Sequence, residues 1–496
     1  MAKLKREKKP TTLGALKRSE FTPGRYGQRA IQDEMRENLI RMIKTGEPLF
    51  PGIVGYDETV IPQIVNAILS KHHMVLLGLR GQAKSRMLRC LTTFLDQEIP
   101  AIEGCEIHDN PYAPLCAGCR QKLAEMGDET PIIFIPRDSR YVEKLATPDV
   151  TVADLIGDID PIRAARSGLD LSSPLSIHYG LLPRANRGIF AINELPDLAA
   201  KVQVALFNIM QEGDVQIKGY PIRLPLDVCL VFAANPEDYT ARGKIITPLK
   251  DRIGSEIRTH YPLDLEEGMA ITTQEAWLSR DGAKLSIPPF VYEVVERIAF
   301  LARESKYIDK RSGVSQRLPI SCMENVVSNA ERRAVLNREK RVVPRPADIY
   351  AALPAVTGKL ELEYEGELRG AHTIAKAIIR EAIGDTFSEH LSLADCLPIV
   401  EWFNQGGELR IADSIPSEEI LRSVQKIPPL LLAAKRLKLE EQPETLVSAC
   451  EFILEGLHAL QKINRSEERG YFTERRVTEA PPAEREPGQR GRYYNN

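Results

Sequence analysis

The sequence predicts an α/β fold, in which a mostly parallel sheet is flanked by helices, followed by an all-helical region. Four short apolar runs in the first half have the length of buried strands, at residues 74–77, 132–135, 188–192 and 228–234. Helical patterns alternate with these runs, which is typical of parallel sheets. After about residue 264 strand signals nearly vanish. An apolar helix face appears there instead, formed by Met323, Val326, Val327, Ala330 and Ala334.

The size of the chain and its balance of charges narrow the function classes. A chain of 496 residues is long enough for about two to four domains. Its 66 Lys and Arg residues nearly balance its 69 Asp and Glu residues, whereas a nucleic-acid binder usually has a basic excess. Neither a signal peptide nor a stretch of the ~20 apolar residues of a membrane helix is visible. We expect a soluble, cytoplasmic protein without a membrane span or a nucleic-acid partner.

Composition also predicts the domain organisation. A basic N-terminal extension covers residues 1–48, an α/β domain 49–262 with an insertion at 100–180, a helical lid 263–385, a helical C-terminal region 386–464 and a disordered tail 465–496. The first twenty residues are expected to form a solvated, flexible arm, with a docking arm as the alternative. The tail is charged and rich in Pro and Gly, so it lacks the apolar residues needed for a core.

A glycine-containing loop follows the first predicted strand and precedes a helical pattern. It consists of Gly78, Leu79, Arg80, Gly81, Gln82, Ala83, Lys84 and Ser85. Backbone N–H groups in such a loop surround phosphate oxygens, and the following helix adds partial positive charge. Lys84 is placed to reach the β- and γ-phosphates of ATP, and Ser85 to bind Mg²⁺. A chance glycine turn is the alternative. Ala83 replaces the usual second glycine, which we expect to be tolerated only at negative φ.

Two later strands end in polar residues that hydrolysis requires. The strand at 188–192 is followed by Asn193 and Glu194, and Glu194 is suited to act as general base on the attacking water. Asn193 stands where an Asp usually helps to hold Mg²⁺, and it offers an oxygen without negative charge. Asn235 follows the strand at 228–234 and is placed to orient the water. The alternatives are a buried strand ending in a polar turn, and an Asn-Pro turn.

Taken in this order, the motifs resemble those of the AAA+ branch that contains the magnesium chelatase I subunit and the MoxR ATPases. Residues 179–188 resemble the segment before the Walker B strand, 212–225 the β-hairpin before the sensor-1 strand, 248–253 the arginine-finger motif, and 149–180 the helical insertion. Ile253 replaces a Phe of the arginine-finger motif. Ala83 before Lys84 is closer to the MoxR form. The resemblance covers about residues 49–360.

The resemblance implies a P-loop AAA+ core and an ATPase that works as a hexameric ring with ATP and Mg²⁺. Arg252 would act on ATP held by the neighbouring subunit, with a surface ion pair to Asp251 or Glu256 as the alternative. Arg317 would be the sensor-2 arginine at the start of a lid helix, with an exposed helix-entry arginine as the alternative. The family usually pairs with a von Willebrand A-type protein, which implies a chaperone-like or metal-insertion role.

Three other functions stay open at this point. The first is the magnesium chelatase ATPase subunit proper. The second is a nucleotide-gated scaffold with weak ATPase activity, which the neutral Asn193 favours. The third is a σ54-type transcriptional activator, against which stand the absence of a Gly-Ala-Phe-Thr-Gly-Ala loop and of a basic C-terminal helix-turn-helix.

A Cys/His group in the insertion has the spacing of a metal site. Cys105, His108, Cys116 and Cys119 form the pattern C-x₂-H-x₇-C-x₂-C. Two short ligand pairs across a Pro-containing loop can close a tetrahedral zinc site. Such a site would be structural, because four protein ligands leave no open position. Ordinary loop residues and redox cysteines are the alternatives. The aspartates between residues 150 and 160 do not match a calcium-binding loop.

Overall fold

The computed structural model describes residues 9–168, 170, 173–217, 223–236, 243–280, 284–466 and 468–473. The chain forms two compact units. The first contains Met1–Gln274, Ile308–Arg317 and Glu361–Glu363. The second contains Glu275–Tyr307, Leu318–Leu360 and Tyr364–Asn496. The boundary after the α/β region therefore lies later than the residue 262 expected, and two short segments of the lid region belong to the first unit.

The first unit contains most of the strands. They are β1 Met74–Leu77, β2 Glu98–Ile102, β3 Ile132–Pro136, β4 Tyr141–Leu145, β5 Gly157–Ile159, β6 Ile177–Tyr179, β7 Gly188–Asn193, β8 Asp214–Gln216, β9 Arg223–Pro225, β10 Val228–Ala234 and β11 Ser255–Arg258. Its helices are α1 Leu13–Lys17, α2 Pro23–Tyr26, α3 Ile31–Thr45, α4 Val60–Leu69, α5 Lys84–Cys90, α6 Ala117–Met126, α7 Val152–Ile156, α8 Pro161–Ser167, α9 Leu181–Arg184, α10 Ala200–Val204, α11 Phe207–Gln211, α12 Thr247–Arg252 and α13 Leu265–Glu275.

Five of these strands form a parallel sheet in the order β11-β1-β10-β7-β4. The three inner strands β1, β10 and β7 are buried along their whole length, which is why they appear in the sequence as continuous apolar runs. Leu77 lies opposite Ala234, and Asn193 lies opposite Ala233. The predicted α/β fold is thus confirmed, and the carboxyl ends of β1, β10 and β7 lie side by side.

The strand prediction needs two corrections. The run at 132–135 lies in β3, which pairs antiparallel with β2 in a separate two-stranded sheet rather than in the parallel sheet. The edge strands β4 and β11 were not predicted, because charged residues such as Glu143 and Arg258 interrupt their apolar pattern. Edge strands are covered on fewer sides, so they tolerate such residues.

The N-terminal segment is folded from residue 9 onward. Leu13 and Leu16 of α1 are buried in a small cluster with Ile102, Cys119 and Ile132. The N–H of Leu13 donates to the Thr130 carbonyl over 3.0 Å, and the N–H of Ile132 donates to the Thr11 carbonyl over 2.9 Å. The expected flexible arm is therefore wrong for this part of the chain. Residues 1–8 lie outside the described residues.

The second unit is built from helices, as predicted. They are α14 Pro289–Glu304, α15 Arg317–Asn337, α16 Pro346–Ala351, α17 Leu353–Thr357, α18 Tyr364–Arg369, α19 Ala371–His390, α20 Leu393–Asn404, α21 Ser417–Val424, α22 Pro428–Arg436 and α23 Pro443–Ala459. Phe290 and Phe452 stack with ring centroids 4.2 Å apart in its core. Within the described part of the chain, no helix combines the length and apolar character required to cross a membrane.

Two short strand pairs accompany the helices of the second unit. β12 Lys284–Leu285 pairs with β13 Arg341–Val342, and β14 Asn464–Ser466 pairs with β15 Gly470–Phe472. The second pair lies inside the segment expected to be a disordered tail. Tyr471 is 1% exposed, and its hydroxyl donates to Glu455 over 2.6 Å. The tail prediction is wrong as far as Thr473, and residues 474–496 lie outside the described residues.

Candidate functional site

The predicted phosphate loop connects β1 to α5 at the carboxyl end of the sheet. The N–H of Gly78 donates to the Ala234 carbonyl over 3.2 Å, which joins the loop to the end of β10. A Cβ atom on Gly78 would lie 1.9 Å from Thr259 Oγ1, so only glycine fits there. Gly81 has φ +76°, and a Cβ atom on it would lie 2.1 Å from Ser315 Oγ. Both glycines of the predicted motif are therefore required by the close packing of the loop.

Ala83 adopts a backbone conformation that we did not expect. Its φ is +53° and its ψ is +16°, in the left-handed region. A negative φ was expected, because a methyl group in the left-handed region costs about 1–2 kcal/mol. The expectation is wrong because the chain must turn at residue 83 to start α5, as it would with the usual glycine. The loop therefore keeps the glycine geometry with an alanine in it.

The first and second residues of α5 point to different partners. The Lys84 ammonium donates to the carbonyls of Gly78, over 2.5 Å, and Leu79, over 2.9 Å. The side chain of Lys84 is thus curled over the loop, with its residue 9% exposed. The Ser85 hydroxyl donates to Asn193 Oδ1 over 3.3 Å. The structure therefore brings together the two residues predicted to hold Mg²⁺.

A carboxylate lies next to this pair. Glu143, on the neighbouring strand β4, accepts a short hydrogen bond from Asn193 Nδ2 at its Oε1 atom. Its Oε2 atom accepts from Arg89 Nε over 2.8 Å. This hydrogen bond and the charge of Glu143 raise the pKa of Arg89, and burial raises the pKa of Tyr141 with a further contribution from Glu143. A hydroxyl, an amide oxygen and a carboxylate are suitable oxygen ligands for Mg²⁺.

The two predicted catalytic residues follow the ends of β7 and β10. Glu194 is half-buried, and its φ of +55° turns the chain directly after β7. Asn235 follows Ala234, whose carbonyl accepts from Gly78. The Oδ1 atom of Asn235 is buried and has no hydrogen-bond partner in the described parts of the chain. An acid and an amide thus lie beside the phosphate loop, at the edge where open α/β sheets bind ligands.

Comparisons with known proteins find relatives of part of this chain. The family model described as "Sigma-54 interaction domain" matches residues 175–254. The chain is 29% identical over 229 residues to the magnesium-chelatase 38 kDa subunit of Cereibacter sphaeroides, covering 45% of this chain and 62% of that protein. It is 30% identical over 226 residues to the same subunit of Rhodobacter capsulatus, covering 44% of this chain and 58% of that protein. The chain is thus similar in sequence to the AAA+ ATPase subunit of magnesium chelatase.

The match to these relatives is partial. The chain spans about three fifths of the length of the two curated magnesium-chelatase subunits. Among solved structures, it is similar to the complex between subunits BchI and BchD of magnesium chelatase, with 22% identity and a TM-score of 0.34. That likeness covers 64% of this chain and 98% of the other.

The predicted arginine finger, Arg252, lies at the end of α12. Arg252 Nε and Nη2 donate to Gln211 Oε1 over 3.2 and 2.9 Å, and Nη1 donates to the Pro248 carbonyl over 2.7 Å. The guanidinium also lies 4.8 Å from the centre of the Phe207 ring. Within the described residues, Glu256 is bound by Lys250 and Arg258 instead of Arg252. The alternative of an ion pair to Glu256 is thus not what the structure shows.

The predicted sensor-2 arginine lies two residues after a segment that packs on the phosphate loop. Ser315 Oγ accepts from the Arg317 N–H over 3.1 Å, and Ser315 is the residue closest to where a Gly81 Cβ would be. The side chain of Arg317 is exposed. Elsewhere in the loop, Arg80 pairs with Glu361, and Gln82 Oε1 accepts from Thr259 over 2.7 Å. The role of Arg317 stays a prediction.

The hairpin of the AAA+ resemblance is present in part. β8 and β9 pair antiparallel, with Val215 opposite Leu224. Its tip falls on residues 218–222, which lie outside the described residues. The insertion at 149–180 contains α7, α8 and the pair β5–β6. Asp160 accepts from the N–H groups of Ile162 and Arg163, both over 2.9 Å, so it caps α8.

The Cys/His group is only partly brought together. The sulfur atoms of Cys105, Cys116 and Cys119 lie with a carboxylate oxygen of Asp109 within 4.8 Å of one another. His108 is not part of this group, so the predicted ligand set is corrected at that position. Asp109 and Glu143 are the residues that the sequence reasoning missed. The position of Asp109 directly after His108 is a sequence signal for a fourth metal ligand. The sequence gives no such signal for Glu143, because its place next to Asn193 depends on the order of the strands in the sheet.

Proposed function

We propose that the chain binds ATP with Mg²⁺ and hydrolyses it to ADP and phosphate. The observation that carries the proposal is the meeting of four features at the carboxyl ends of β1, β10 and β7. These are the phosphate loop, the Ser85–Asn193 hydrogen bond of 3.3 Å, Glu194 and the buried amide oxygen of Asn235. Nucleotide binding needs the first two, and activation of a water molecule needs the others.

Each residue has a distinct part in the proposed reaction. Backbone N–H groups of the loop and the Lys84 ammonium bind the phosphate oxygens. Glu194 accepts a proton from the attacking water while Asn235 orients it. The water oxygen forms a bond to the γ-phosphorus, and the bond to the bridging oxygen breaks, so that ADP leaves. Ser85, Asn193 and Glu143 are the residues that would hold Mg²⁺. When bound, the ion neutralises charge on the β- and γ-phosphates.

The binding step is tested with Lys84→Ala. We expect the affinity for Mg·ATP to fall about tenfold to a hundredfold, because a hydrogen bond to a charged group contributes about 1.5–3 kcal/mol. Calorimetry on the folded variant measures the affinity, and Lys44→Ala, an exposed lysine in the last turn of α3, is the control. Undiminished binding in Lys84→Ala would refute the proposed phosphate site.

The assembly and the partner are proposed from the AAA+ resemblance. We expect a hexameric ring from this resemblance, in which Arg252 acts on the nucleotide of a neighbouring subunit and so couples hydrolysis to assembly. A partner protein of the von Willebrand A type and a chaperone-like or metal-insertion role belong to the same proposal. The MoxR form, suggested by Ala83, and magnesium chelatase proper are its two narrower versions.

One observation favours a second candidate function, a nucleotide-gated scaffold with weak ATPase activity. Asn193 carries no charge, and the carboxylate of Glu143 is shared with Arg89. Reduced negative charge at this position would weaken Mg²⁺ binding. The σ54-type activator also shares the region of residues 175–254, but the sequence has no Gly-Ala-Phe-Thr-Gly-Ala loop.

Glu143 decides between strong and weak Mg²⁺ binding. We expect Glu143→Gln to raise the Mg²⁺ concentration needed for nucleotide binding by about tenfold or more. Loss of a group next to a metal site commonly lowers metal affinity by about this factor. In the double variant Glu143→Gln with Asn193→Asp, the Mg²⁺ concentration needed should fall back to that of the original chain. The new aspartate supplies the lost carboxylate from β7. A fluorescent ATP analogue titrated with Mg²⁺ measures this directly.

The control separates a ligand role from a structural one. Arg89→Ala removes the ion-pair partner of Glu143 but keeps its carboxylate. We expect this variant to bind Mg²⁺ as well as the original chain or better. If Arg89→Ala reproduces the defect of Glu143→Gln, Glu143 only anchors α5 and the assignment is wrong.

A further inference from the structure

The insertion contains a compact group of metal-ligating side chains outside the phosphate loop. Cys105 lies in the loop after β2, Cys116 is the N-cap of α6, and Cys119 lies in its first turn. Asp109 lies between them in sequence. One ligand atom from each residue lies within 4.8 Å of all the others. The three thiols and the carboxylate therefore surround one small volume.

We propose that Cys105, Asp109, Cys116 and Cys119 bind one structural Zn²⁺. Three sulfur atoms and one carboxylate oxygen form a set that zinc accepts, and bonds of about 2.3 Å in a tetrahedron place sulfur ligands about 3.8 Å apart. That separation is within the 4.8 Å found here. Mg²⁺ and Ca²⁺ are disfavoured because they prefer oxygen ligands. Four protein ligands leave no position for a water, so the ion is structural.

The hydrogen bonds around the group orient its ligands. The Asp109 N–H donates to Cys105 Sγ and the Cys119 N–H donates to Cys116 Sγ, both over 3.3 Å. The Cys116 N–H donates to Asp109 Oδ2 over 2.9 Å. Such donors stabilise thiolates and fix a carboxylate in one orientation. Backbone N–H groups of the insertion thus hold three of the ligands in place.

Asp109 carries a second indication of a cation. The residue is 0% exposed, and its Oδ1 atom has no hydrogen-bond partner in the described part of the chain. A buried carboxylate oxygen without a partner is costly unless a positive charge lies next to it. A Zn²⁺ among the three thiols supplies that charge.

Asp109 takes the place that the sequence pattern assigned to His108. The backbone of His108 is left-handed, with φ +52°, and its carbonyl accepts from Arg187 Nη1 over 3.4 Å. The next residue, Asp109, lies with the cysteines. The sequence pattern C-x₂-H is therefore present, but His108 is not in the group of ligand atoms that lie within 4.8 Å of one another.

The proposed ion would secure a small core. Cys119, 3% exposed, packs in the cluster of Leu13, Leu16, Ile102 and Ile132. Five buried residues make a small core, and such cores commonly need a metal or a disulfide. We therefore expect the ion to stabilise the packing of α1, in the N-terminal segment of the chain, against the insertion.

The experiment uses the full chain purified under reducing conditions. Elemental analysis should find one Zn²⁺ per chain, and Co²⁺ exchanged into the site should give the thiolate charge-transfer band and the visible bands of tetrahedral coordination. Asp109→Asn should lower zinc affinity by about tenfold or more, whereas His108→Ala, the matched control, should keep it. Chelation should speed protease cleavage in the N-terminal segment, and added Zn²⁺ should reverse this.

Several results would overturn the proposal. One is a reduced chain that binds no zinc even after Zn²⁺ is added. Another is iron with a visible iron–sulfur absorption. Loss of zinc in His108→Ala together with its retention in Asp109→Asn would also contradict the ligand set. Because chelation and re-addition are performed on the unmodified chain, poor folding of a variant does not affect the test.

Discussion

Glu194→Gln is expected to leave Mg·ATP bound and to slow hydrolysis by about 10²–10⁴-fold, the usual contribution of a general base. Glutamine has nearly the same size and keeps the turn at φ +55° after β7, so the site should stay intact. Its amide, however, cannot take the proton from the attacking water. Steady-state phosphate release measures the rate, and calorimetry with ATP and Mg²⁺ measures the binding.

The comparison with the unmodified chain also separates the two candidate functions. Glu129→Gln, an exposed acid of the insertion, is the control and should hydrolyse ATP normally. If the unmodified chain is as slow as Glu194→Gln, the ATPase motor is refuted and the nucleotide-gated scaffold is the better description. If Glu194→Gln stays as fast as an active unmodified chain, another residue is the base.

The phosphate-loop fold could be predicted because its central strands are buried on both faces. β1, β7 and β10 are apolar along their whole length, and the loop, Asn193, Glu194 and Asn235 follow their ends. Parallel strands place such ends at one edge, so the sequence order already implies proximity. In the structure, the loop, Asn193, Glu194 and Asn235 follow strand ends at this edge of the sheet.

The missed features depend on contacts between segments that are distant in sequence. β4 was not predicted as a strand, because Glu143 and Lys144 interrupt its apolar pattern. Consequently, nothing indicated that Glu143 lies next to Asn193. Asp109 rather than His108 lies with the three cysteines, and His108 has a left-handed backbone, φ +52°, which spacing alone does not reveal. The docking of the basic N-terminal segment depends on two leucines that face Ile102 and Ile132.

Arg252→Ala is expected to lower the hydrolysis rate by about 10³–10⁵-fold, the range found for arginine fingers in GTPases. The variant should still bind ATP, because the phosphate loop is unchanged. Its guanidinium is oriented by Gln211 and the Pro248 carbonyl; no described carboxylate neutralises its charge. A positive charge held in this way is available to a phosphate of a neighbouring subunit.

A mixing experiment tests whether Arg252 acts between subunits. The Lys84→Ala variant has a defective nucleotide site but keeps Arg252. The Arg252→Ala variant keeps an intact nucleotide site but lacks the arginine. In a ring with head-to-tail interfaces, an equal mixture pairs an intact site with an intact arginine at about a quarter of the interfaces. Phosphate release should therefore reappear on mixing two inactive proteins. Light scattering must first show that Arg252→Ala forms the same assembly as the original chain. If both variants assemble normally and the mixture stays inactive, Arg252 does not complete the site of a neighbour.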